Sequence, residues 1–129
     1  MHNNVKFIIP INPITKKNNS RIIYNRKKKR YMIIPSEAYE KYEKACEPYI
    51  PDTHIDYPVN IKATYYRATK HNVDLCNLHE ALHDVLVKYG CIEDDNYTIL
   101  VSTDGSRVEF DKENPRTEVE ITKIGGTIC

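Results

Sequence analysis

Between residues 73 and 96 the chain reads VDLCNLHEALHDVLVKYGCIEDDN, and no other stretch restricts the fold as tightly. Wound at 3.6 residues per turn, Leu75, Leu78, Leu82, Val85, Leu86 and Tyr89 share one face, the pattern of a helix packed on a core. Asn77, Glu80, Asp84 and Lys88 fall on roughly the opposite face, and Asp74 stands just before it. Gly90 follows at the usual helix stop, and a second acidic cluster, Glu93, Asp94 and Asp95, comes a few residues later. A single short helix thus brings carboxylates near each other while its apolar stripe requires something to lie on.

The flanking segments supply that support. Residues 5–9 (VKFII) form a β-rich run closed by Pro10 and Pro13. Residues 21–24 and 31–34 are extended runs around Asn25, Arg26, Lys27, Lys28, Lys29 and Arg30, which predicts a hairpin with a strongly basic tip. Ser36 is placed to cap a helix reaching to about Glu47, with Glu37 and Glu40 in its first turn and Ala38, Tyr39, Tyr42, Ala45 and Cys46 as its apolar stripe. Those tyrosines are expected to face the core. Val59, Ile61, Ala63 and Tyr65 alternate with polar partners in a half-buried strand that points its end at the acidic helix. Further strands are expected over residues 97–102, 107–110 and 117–124. The fold class is therefore α/β of the α+β type, a small mixed sheet with two helices, in one domain spanning residues 1–129.

At 129 residues, 40% of them hydrophobic, the chain suits one domain with a real core. No apolar run approaches the roughly 20 residues needed to span a bilayer, and no charged-then-apolar leader opens the chain, so a cytoplasmic protein without membrane contact is expected. Cys46, Cys76, Cys91 and Cys129 show no CxxC spacing and read as free thiols. The net charge of +1 hides a strong asymmetry: residues 1–50 carry eleven Lys and Arg against four Glu, whereas residues 71–129 carry five basic against twelve acidic residues. This suits a basic surface for a polyanion beside an acidic pocket for cations, and equally suits neutralisation across the fold.

Three chemistries fit the central stretch. Asp74, Glu80 and Asp95, with Asp84 and Asp94 alongside, offer the oxygen donors that magnesium or manganese prefers; such a cation binds a phosphate and activates water for phosphodiester hydrolysis. The same residues also read as a helix cap and a polar turn. His79, Glu80 and His83 match HExxH, the zinc-protease helix, but no third ligand follows at the usual downstream spacing, and surface histidines flanking the apolar face are the simpler account. Cys76 near His79 lacks an orienting group for nucleophilic catalysis.

In order and spacing these residues resemble the RusA family of Holliday junction resolvases. The resemblance is carried by Ile9-Pro10-Ile11-Asn12-Pro13 followed by Lys16 and Arg21, then by Asp74, Leu75, Asn77 and Leu78, by Ala81, Asp84 and Leu86, by Gly90, by Asp94 and Asp95, and by the closing strand over residues 117–125. It implies a RusA-like homodimer, a magnesium-dependent endodeoxyribonuclease without an organic cofactor, acting on branched DNA in recombination and repair and often carried by prophages. Asp74 matches the first aspartate of the family's DxDN and Asp95 the second of its Asp-Asp pair, both metal-binding and catalytic there. Two positions depart: the family's second aspartate is Cys76 here and its catalytic lysine is Glu80.

Glu80 can complete the metal shell from the same helix face, and Lys70, Lys88 or Arg67 can take over the charge of the missing lysine. Without such replacement the chain would be a branched-DNA-binding module with a decayed site. The expected DNA contacts are Lys16, Lys17, Arg21, Arg26, Lys27, Lys28, Lys29, Arg30, Arg67 and Lys70.

Overall fold

The computed structural model describes residues 4–16, 21–34 and 36–125. Among the described residues, seven strands and two α-helices follow one another as β1 (Asn4–Ile9), β2 (Arg21–Asn25), β3 (Arg30–Ile34), α1 (Glu37–Cys46), β4 (Val59–Arg67), α2 (Leu75–Lys88), β5 (Leu100–Ser102), β6 (Arg107–Phe110) and β7 (Arg116–Lys123). The main sheet runs β1-β7-β4-β5, with β6 also pairing β4, while β2 and β3 form a separate two-stranded sheet. This is the expected α+β mixed sheet with two helices.

Chain order does not dictate sheet order here. The last strand lies antiparallel between β1 and β4, placing Phe7 opposite Val119 and Ala63 opposite the same residue. β5 and β6 both run parallel to β4, so α2 is the crossover helix that such parallel pairing requires. Strand alternation then sends Val59, Ile61, Ala63 and Tyr65 to one face together with Thr117, Val119, Ile121 and Ile9. Leu78, Leu82, Val85 and Leu86 of α2 and Tyr39, Tyr42 and Cys46 of α1 complete this core. Tyr39 donates its hydroxyl to the Ala81 carbonyl at 3.3 Å, joining the two helices. The tyrosines of α1 face inward as expected, whereas Ala38 and Ala45 remain exposed.

Local chemistry sets the element ends. Ser36 Oγ accepts from Tyr39 N at 3.1 Å and caps α1. α1 ends at Cys46, close to the expected Glu47, and Pro48 sits in the first turn of a following 3₁₀ helix, Glu47–Tyr49, where a missing N–H costs nothing. The expected strand over residues 97–102 shortens to Leu100–Ser102, because Asn96 Oδ1 accepts from Thr98 N at 3.0 Å and its carbonyl from Leu100 N at 2.8 Å, holding a turn in place of an extended ladder. Among the described residues no helix is long and apolar enough to cross a membrane. Cys46 and Cys91 are buried free thiols and Cys76 an exposed one.

Candidate active site

β4 ends at Arg67, the chain turns, and α2 runs back beneath the sheet from its N-cap Asp74. Asp74 has extended backbone and caps the helix with its carbonyl, which accepts from Asn77 N and Leu78 N, rather than with its side chain. Its exposed carboxylate accepts only a long contact, 3.4 Å, from Asn77 Nδ2. Arg67, Lys70, His71, Val73 and Phe110 line an open groove of about 310 Å³ beside it. A larger groove, about 540 Å³ between Lys6, Lys62, Glu118 and Glu120, lies across the sheet from α2 and away from these acids.

A second acidic group forms toward the other end of α2. Asp84 receives the ammonium of Lys16 in an ion pair, and Lys16 is held protonated above its ordinary range by that hydrogen bond, with Glu80 and Glu43 adding to it. Asp95 has its carboxyl raised above the usual range, first by partial desolvation and then by the Asp94 side chain, with the charge of Asp84 adding to both. The acidic turn is pinned by its own side chains: Asp94 accepts from Asp95 N at 2.7 Å and from Asn96 Nδ2 at 3.0 Å. Glu93 is drawn away to His54 at 3.1 Å.

Asp84 and Asp95 thus influence each other, Asp84 and Glu80 both act on Lys16, and Asp74 stands at the N-terminal end of α2. Ten positions separate Asp74 from Asp84, about 15 Å along a helix axis. Among the described residues no three His, Cys, Asp or Glu side chains stand close enough to share a metal ion. The donor chemistry suits a hard divalent cation, but the single chain does not assemble the donors around one point.

Of the cations expected to replace the family lysine, Lys88 is held by Glu43 at 2.5 Å, Lys70 lies over the Phe110 ring at 4.9 Å, and Arg67 donates to the His71 carbonyl. The cation that meets the acidic face of α2 is Lys16, read from sequence as a DNA contact. No local pattern could have revealed this, since the partners lie 68 positions apart. Arg26, Lys27, Lys28, Lys29 and Arg30 are all exposed at the hairpin tip. Lys17 and the side chain of Arg21 lie outside the described residues.

HExxH is not an open metal helix. His79 and His83 are each 9% exposed and stack at 5.2 Å, with His79 Nδ1 sharing a hydrogen bond of 2.7 Å with Tyr65 Oη. Glu80 projects outward, so the general base of a zinc protease would face away from its ligands. The expectation of surface histidines is also corrected: the rings flank the apolar stripe closely enough to be covered with it.

A small α+β domain with an acidic helix leading from a central strand and a basic hairpin set apart from the sheet is the class that this geometry defines. The family model described as Endodeoxyribonuclease RusA matches residues 10–122, most of the chain, and the chain belongs to that family. A search of curated proteins finds no match.

Proposed function

We propose that this chain is a structure-selective endodeoxyribonuclease that resolves four-way DNA junctions as a homodimer, in recombination and repair, using a divalent cation, Mg2+ or Mn2+. Family membership over residues 10–122 carries the reading. The exposed carboxylates of α2 and of the turn after it support it, with Asp74, Glu80 and Asp95 as the catalytic and metal-holding set and Asp84 and Asp94 beside them. A divalent cation bound to such oxygens polarises a phosphate and lowers the pKa of an attacking water. The chain's own contribution begins at Asp95, whose carboxyl is raised first by partial desolvation, then by its hydrogen bond with the Asp94 side chain and by the charges of Asp84 and Asp94; a cation beside it would relieve that repulsion.

DNA would be held by phosphate contacts from the exposed tip, Arg26, Lys27, Lys28, Lys29 and Arg30, and from Arg67 and Lys70 in the groove beside Asp74. Lys16, Lys17 and Arg21 extend the same basic segment in sequence. A dimer presents two such surfaces to the opposed strands of a junction, giving paired nicks.

A second reading, a branched-DNA-binding module that does not cut, is favoured by one observation: Asp84 is already neutralised by Lys16 while Cys76 and Glu80 occupy two family active-site positions. Incubating purified protein with an end-labelled four-way junction in magnesium, manganese or EDTA separates the two. Paired nicks that require the metal support the nuclease; binding without cuts under every metal supports the module.

A further inference from the structure

The β2–β3 hairpin is a sheet of its own, and a two-stranded hairpin is at best marginally stable in water. Its register places Ile22 opposite Ile33 and Tyr24 opposite Tyr31, so alternation puts all four side chains on one face. They are 70%, 75%, 51% and 76% exposed, and the two tyrosine rings lie 5.1 Å apart. Taking roughly 200 Å² for each such side chain, the face leaves about 500 Å² of apolar area in water, near the upper end of what monomers tolerate.

We infer that this face is where a second copy of the chain docks, the two hairpins lying face to face and antiparallel about a twofold axis. The inference rests on the dimeric reading above and adds the surface to it. Two such faces remove about 1,000 Å² together, which reaches the lower limit for a specific interface. The patch is self-complementary, as a twofold contact demands: the isoleucine pair at the base of one hairpin packs on the tyrosine pair near the tip of the other. Charge fixes the direction. Each tip carries Arg26, Lys27, Lys28, Lys29 and Arg30, so parallel hairpins would set ten cations side by side, whereas antiparallel ones send the tips to opposite ends. The basic surface is then divided into two well-separated patches related by the twofold.

The oligomeric state of the full chain, measured by sedimentation without DNA or metal, tests this apart from any cleavage. Wild type is expected at twice its 15.1 kDa mass. Ile22→Asp with Ile33→Asp is expected at the chain mass with unchanged far-UV circular dichroism, the dimer weakened about 100-fold or more. A monomeric wild type overturns the dimeric reading together with this surface; a dimer that both substitutions leave intact overturns the surface alone. Direction is read by mixing Tyr31→Cys and Ile33→Cys chains in a Cys76→Ser background. Antiparallel docking favours the mixed disulfide, and preferential self-crosslinking of each chain overturns it. This second readout holds even if the aspartate variant fails to fold.

Discussion

Lys16 and Asp84, 68 positions apart, meet in an ion pair that ties the segment after β1 to the outer face of α2. Each side chain keeps about a third of its surface in water, so the pair belongs to the modest class of ion pairs. Thermal unfolding of Lys16→Met, Asp84→Asn and the double variant is expected to give a coupling of about 0.5–1 kcal/mol. Additive losses in that cycle would mean that the contact contributes nothing.

The stacked His79 and His83 make stability depend on pH. Burial lowers both, and His83 is pushed down to about 4, with His79 adding to the effect. A base depressed in the folded state binds more protons when unfolded, so stability is full above pH 6.5 and falls as pH drops toward 4. From His83 alone the loss across that window is about 3 kcal/mol. Urea titrations from pH 7.5 to 4 should show the decline, and His83→Leu should flatten it; an identical slope in the variant would show that other groups set the acid limit.

Gly90 turns the chain out of α2 with φ +80°, where a Cβ would meet Asp52 Oδ1 at 2.9 Å and His54 Cε1 at 3.0 Å. Both neighbours are ends of movable side chains, so the backbone is the larger cost. Gly90→Ala is expected to destabilise by about 1–2 kcal/mol, read from the denaturant midpoint. An unchanged midpoint would mean that the turn relaxes to negative φ.

Salt dependence measures the basic tip. Replacing Lys27, Lys28 and Lys29 by Gln removes three candidate phosphate contacts, which should reduce the slope of log K against log salt for junction binding by about 3. A slope that does not change places the tip off the DNA.

The amphipathic stripe of α2, the Ser36 cap and the alternation of β4 and β7 were readable from the residues because each is a local periodicity. The pairing of β1 with β7 was not, since nothing near Phe7 marks Val119 as its partner. The enclosure of His79 and His83 was hidden by residue type: a polar ring at the margin of an apolar stripe reads as surface until Tyr65 is seen beneath it. Within the candidate site, Glu80 and Asp84 were legible as acids on one side of the helix, and Asp95 as part of the acidic cluster after it. The spacing of Asp74 and Asp84 follows from helix length, and the pairing of Lys16 with Asp84 only from the tertiary fold.

Cleavage of a labelled four-way junction by wild type, Asp74→Asn and Asp95→Asn in magnesium, with binding followed in parallel, tests the nuclease reading most directly. Wild type is expected to cut in symmetric pairs, and each variant to bind nearly as well while cutting at least about 100-fold more slowly. Variants that cut at the wild-type rate, or a wild type that binds the junction and never cuts it in magnesium or manganese, would contradict the account.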